Sequence, residues 1–131
     1  MIVVDTSAVI AALAGHPRPL RLADRLRQDG DLHVPHLLDV EVLHALRGLV
    51  IGGKLSEERA DGVRQDLAAL RLRRYPHGPL ADRIWELRGN LTAYDAAFVA
   101  LSEALDAPLI TCDAKLLGGD HDARVELFAR S

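Results

Sequence analysis

The chain has 131 residues, 49% of them hydrophobic, which suits one domain, residues 1–131, with a real core. Its single cysteine, Cys112, excludes an internal disulfide and a thiolate zinc cluster and is expected to pack in the core. The net charge of −3 excludes a uniformly basic face for nucleic acid, and no run approaches the roughly 18 apolar residues of a membrane span. The opening stretch lacks basic residues and carries Asp5 inside its apolar run, so it makes a poor signal peptide, and a cytoplasmic protein is expected.

In chain order, Ile2 to Asp5 reads as a buried strand, followed by a helix opened by Thr6 or Ser7 and closed near Gly15 and Pro17. A second helix is expected from about Pro19 to Gln28, then a short strand from Leu32 to Pro35. Leu38, Val42, Ala45, Leu46 and Leu49 recur at helical spacing, and Gly52-Gly53 stops that helix. Ser56 reads as the N-cap of the next, with Glu57 and Glu58 in its first turn. LRLRRY alternates as a strand, Pro76 and Pro79 punctuate it, and a helix follows from Leu80 to Arg88. Another begins at Thr92 and is expected to end at Pro108. PLITC reads as a buried strand, residues 113–119 as a loop or short helix, and Val125 to Phe128 as a last strand. Strands alternating with helices imply an α/β sandwich on a mostly parallel sheet of about five strands, because parallel neighbours need helical crossovers.

Four acids stand out against this pattern. Asp5 and Asp113 each follow a strand, where open α/β sheets bind ligands, although each is also a good turn or capping residue. Glu41 rides the margin of an apolar helical stripe, where a carboxylate needs a partner or must reach back to water. Asp95 is the third helical residue after Thr92, which suits a capping box as well as a site at the sheet edge. Together they offer the oxygen ligands that Mg²⁺ and Mn²⁺ prefer. Thr6, Ser7 and Thr111 add hydroxyls that can orient the carboxylates, or that simply cap and pack. If four of the 19 acids hold metal, 15 remain against 16 basic residues, and the surface met by a phosphate chain is about neutral.

VVDTSAVIAAL, Glu41 after VPHLLDVEVLHAL, LTAYDAAFVALSEAL and LITCD resemble the four acidic blocks of the PIN domain, and the length resembles its VapC-type toxins. The resemblance spans nearly the whole chain and is weakest from Gly52 to Arg88. It implies a PIN-like α/β/α sandwich and an endoribonuclease dependent on Mg²⁺ or Mn²⁺. Asp5, Glu41, Asp95 and Asp113 would be its catalytic and metal-binding acids, supported by Thr6, Ser7 and Thr111. It also implies RNA as substrate, a homodimer and a cognate VapB-type antitoxin. The other reading is a catalytically inactive PIN-like module that docks an antitoxin or a partner helix; four mutually repelling acids speak against it.

Further material is assigned more plainly. Arg18, Arg21, Arg25, Arg71, Arg73 and Arg74 suit phosphate contacts, but a solvated face is favoured. Asp120 and Asp122 are expected in solvent, and His36 and His44 at the surface or in a dimer. The apolar helices from Leu37 to Leu49 and Ala81 to Leu87 suit either a dimer interface or the core. A receiver domain would want paired acids after the first strand, and a haloacid-dehalogenase-like phosphatase a second Asp at the position of Ser7. P-loop and dinucleotide folds lack their glycine motifs here.

Overall fold

The computed structural model describes residues 1–15 and 19–129, so the readings at Pro17 and Arg18 lie outside the described residues. Strand β1 (Ile2–Val4) has all three side chains fully buried, as a strand covered on both faces requires. It pairs in parallel with β2 (Leu32–Pro35) through Ile2 and Leu32 and with β4 (Leu109–Thr111) through Val4 and Ile110. Strands β3 (Leu72–Tyr75) and β5 (Val125–Leu127) complete a fully parallel sheet in the order β3-β2-β1-β4-β5. The chain therefore builds outward from β1 on one side, returns, and builds outward on the other. The reversal lies between β1 and β4, and the crevice at the carboxyl ends of those strands is where such sheets take ligands.

Among the described residues six α-helices supply the crossovers: α1 (Thr6–Ala14), α2 (Leu22–Asp29), α3 (Leu37–Ile51), α4 (Glu57–Ala69), α5 (Ala81–Glu86) and α6 (Ala93–Leu105). Helix α1 packs on α3 and α4, while α6 crosses β1, β2 and β4 and packs on α5. Val42 and Leu46 of α3 and Phe98 and Leu101 of α6 join the strand residues in one buried apolar cluster. None of these helices is long and apolar enough to cross a membrane.

Most ends fall where local chemistry puts them. Ser56 caps α4 by accepting the Arg59 N–H at 3.1 Å, and Gly30 closes α2 in the left-handed region at φ 71°. Three boundaries differ from expectation. Helix α2 starts at Leu22 rather than Pro19, because Arg21 is left-handed at φ 68° and Leu22 donates to the Pro19 carbonyl instead. Helix α5 is a short piece preceded by a 3-10 turn over Gly78–Leu80. Helix α6 ends at Leu105, capped by Asp106, left-handed at φ 49°, so it stops before the proline expected to end it. Pro108 serves the sheet, where its carbonyl accepts the Val3 N–H at 2.8 Å.

Candidate active site

Asp5 lies where β1 passes into α1. Its Oδ1 accepts the Ala8 N–H at 3.0 Å, capping the helix, and the Ser7 hydroxyl at 2.8 Å. Its Oδ2 accepts the Thr111 hydroxyl at 2.7 Å. Thr111 also accepts the Asp113 N–H at 2.9 Å, and Ser7 accepts the Cys112 N–H at 2.9 Å. Two hydroxyls thus tie the ends of β1 and β4 together around one carboxylate that is only 5% exposed. Burial raises the Asp5 pKa above its ordinary 3.8; the bonds from Thr111, Ala8 and Ser7 oppose that rise, and the charge of Asp113 adds to it.

Glu41, in the second turn of α3, accepts the Thr6 hydroxyl on Oε1 at 2.6 Å. Desolvation raises its pKa, the Thr6 bond lowers it, Asp95 raises it and His44 lowers it. Asp95 stands in the first turn of α6, where its N–H donates to the Thr92 hydroxyl oxygen at 3.1 Å. Its pKa is raised by desolvation and by the charge of Asp113, against smaller lowering effects of Thr92 and Lys115. Asp113 follows β4 and accepts the Lys115 N–H on Oδ1 at 3.0 Å, opening a 3-10 turn over Ala114–Leu117.

All four acids line one cavity of about 440 Å³, with Thr6 and Ser7 beside them and Ile10, Leu49 and Phe98 among its apolar residues. These six residues thus line one cavity, and Thr111 acts just behind it through Asp5 and Asp113. Among the described residues no three His, Cys, Asp or Glu side chains stand together as a ready metal-ligand group. The donor set is nevertheless one of carboxylate and hydroxyl oxygens, which suits a hard divalent cation. Mg²⁺ commonly takes one or two protein carboxylates and keeps waters in its other positions, so a closed cage is not required. Asp113 raises the pKa of both Asp5 and Asp95, and Asp95 that of Glu41, a chain of repulsions that a cation would relieve.

The remaining sequence candidates separate cleanly. Arg74 forks onto Asp39 at 2.7 and 2.9 Å, and Arg25 onto Glu126 at 2.8 and 3.1 Å, so neither is open to phosphate as placed. Asp120 and Asp122 are exposed and do not line the acid cavity. His36 is exposed and stands edge-on to His77, whose Nε2 accepts the Leu37 N–H at the start of α3. Cys112 is half-buried against the core. Lys115 beside Asp95 was not singled out from the sequence, and His44 beside Glu41 is exposed, as expected of a surface residue. Lys115 is only two residues from Asp113, so local spacing held the signal.

The sequence that folds into this sheet and cleft matches the PIN domain over residues 2–118, and the chain belongs to that family. Within it the chain is similar to VapC proteins. It is 46% identical over 115 residues to Ribonuclease VapC1 of Mycobacterium tuberculosis, covering 87% of this chain and 86% of that protein. It is 38% identical over 130 residues to Ribonuclease VapC12 of the same organism, covering 98% and 100%. Among solved structures, VapBC2 from Rickettsia felis, bound to a DNA fragment from their promoter, has a TM-score of 0.71 over 98% of this chain and 99% of that one, at 16% identity.

Proposed function

We propose that this chain is an endoribonuclease dependent on Mg²⁺ or Mn²⁺, the toxin of a toxin–antitoxin pair, that hydrolyses RNA phosphodiester bonds at the four-carboxylate cavity. The observation that carries the reading is that acids from four separate segments line a single cleft at the sheet's switch point. The names of relatives as similar as 46% identity support RNA as the substrate class.

Asp5, Glu41, Asp95 and Asp113 would hold the cation. When bound, a divalent cation supplies Lewis acidity toward water and offsets charge on the phosphate. The chain's own contribution is placement. Both Asp5 oxygens are fixed by donors, so this carboxylate is a rigid anchor rather than a mobile base. Thr6 fixes one Glu41 oxygen and leaves Oε2 for a cation or a water. The attacking oxygen comes from water, and no carboxylate need form a covalent bond.

The same reading includes a cognate VapB-type antitoxin, in line with the VapBC2 structure to which this fold is similar. It also includes a homodimer in the cytoplasm. Leu43 and Ile51, 46% and 68% exposed on α3, supply apolar surface suited to pairing two copies. The test is incubation of the purified protein with a mixed pool of structured cellular RNA in Mg²⁺, in Mn²⁺ and in EDTA. Cutting that needs the metal supports the reading. Intact RNA under all three conditions, with folded protein, removes it.

A further inference from the structure

Three consecutive residues in the first turn of α6 line three cavities. Asp95 lines the acid cavity; Tyr94 lines a second with Glu41 and His44; Ala93 lines a third with His77, Trp85 and Arg88. With about 3.6 residues per turn, Ala93 and Asp95 point to nearly opposite sides of α6, so the third cavity lies around the helix from the acids. Its volume is about 350 Å³. Trp85 is 67% exposed and Tyr94 64%, both far above what an aromatic side chain adopts when it serves the core.

The charge beside this aromatic surface is uncommitted. Arg88 places its guanidinium 4.4 Å from the centre of the Trp85 ring and donates from Nη1 to the Trp85 carbonyl at 2.9 Å. Among the described residues it has no ion-pair partner, whereas Arg83 on α5, the helix that precedes it, is forked onto Glu103 at 2.7 and 2.9 Å. An exposed indole with an unpaired guanidinium on it has the chemistry of a single-strand contact. The π-face stacks a base regardless of sequence, and the cation meets the phosphate or the base plane.

We propose that Trp85 and Arg88 form a stacking subsite, outside the acid cavity, that takes one unpaired nucleotide of the RNA. The proposal rests on the ribonuclease reading, but its readout does not need catalysis. Trp85 is the only tryptophan in the chain, so intrinsic fluorescence reports on this groove alone. The experiment titrates a short, unstructured, fluorescein-labelled oligoribonucleotide into the protein in EDTA. Binding is read from the RNA label's anisotropy and stacking, with unlabelled RNA, from tryptophan quenching.

Saturable quenching that tracks the anisotropy is expected. Trp85→Ala should weaken binding by roughly 5- to 100-fold, from the loss of one base–aromatic stack, while Trp85→Phe retains most of it. Arg88→Gln should weaken binding and flatten its salt dependence. Anisotropy change without quenching, or unaltered RNA affinity in Trp85→Ala, overturns the subsite and leaves the ribonuclease reading standing. Quenching that follows protein concentration instead of RNA also overturns it, in favour of a second copy covering the groove. If Trp85→Ala fails to fold, quenching in the unaltered protein still decides. Absence of any RNA binding in EDTA overturns the subsite and leaves the ribonuclease reading to its own cleavage test, whereas quenching by RNA in a protein that never cleaves removes the ribonuclease reading alone.

Discussion

Asp95 adds a charge to a cleft that already repels it, and replacing it tests whether it serves the fold or the chemistry. Burial and Asp113 raise its pKa above 3.8, as burial raises those of Asp5 and Glu41. With a raised folded value, the native chain holds protons that the unfolded chain has already released. Stability from this source is full below the ordinary carboxyl range and is lost as pH rises through the raised folded values. Asp95→Asn should therefore be as stable as the unaltered protein at low pH and equally or more stable at neutral pH in EDTA, while losing RNA cleavage. Urea midpoints of the two proteins across pH check the sign. A large loss of stability in the variant would make Asp95 a structural cap.

Thr111 gives the opposite expectation. Thr111→Val keeps the shape but strips a donor from buried Asp5 and an acceptor from the Asp113 N–H, at a cost of about 1–3 kcal/mol. Thr111→Ser should retain most of that stability, and denaturation in EDTA distinguishes the pair. At this scale two of the acids were legible in the sequence because each does something local: Asp5 caps α1 and Asp113 opens a turn. The capping and cleft-lining readings are not alternatives here, since the same carboxylates do both. What local pattern could not show was Thr6 bonding Glu41 across 35 residues, a contact that exists only once α1 packs on α3.

The elements differ in how well their ends could be read. Helix α4 begins after Ser56 as the cap pattern requires, and β2 occupies Leu32–Pro35 as expected, since both are fixed by residues inside or next to them. The start of α2 and the end of α6 depend on single left-handed residues, Arg21 and Asp106; arginine seldom signals that conformation, and aspartate, though enriched in it, more often lies elsewhere. Helix α6 matters most, because its first turn carries Ala93, Tyr94 and Asp95 past three cavities. Thr92 sets that turn through the Asp95 N–H. Thr92→Ala should cost roughly 0.5–2 kcal/mol and reduce cleavage, and Thr92→Ser should keep both within a small margin. Chemical denaturation and initial cleavage rates, measured together, check this. Lost stability with full activity would mean that the cap does not place Asp95.

For the whole molecule, alternation of strands and helices made a parallel α/β sheet legible, as did the apolar runs of β1 and β4. The strand order was not, because periodicity says which face of a strand is buried and nothing of which strand lies beside it. That order brings Asp5 and Asp113, 108 residues apart in the chain, to one edge. If the cleft is a cation site, Mg²⁺ or Mn²⁺ should raise the melting temperature in proportion to its occupancy, and EDTA should reverse the rise.

The most direct measurement is a Mn²⁺ titration by calorimetry of the unaltered protein and of Asp5→Asn, Glu41→Gln, Asp95→Asn and Asp113→Asn, each paired with RNA cleavage. Four acids acting as one site predict that every variant weakens Mn²⁺ binding and loses cleavage together, with the unaltered protein binding and cutting. Unchanged Mn²⁺ affinity in folded variants, or metal-independent cutting that survives all four substitutions, would contradict the account.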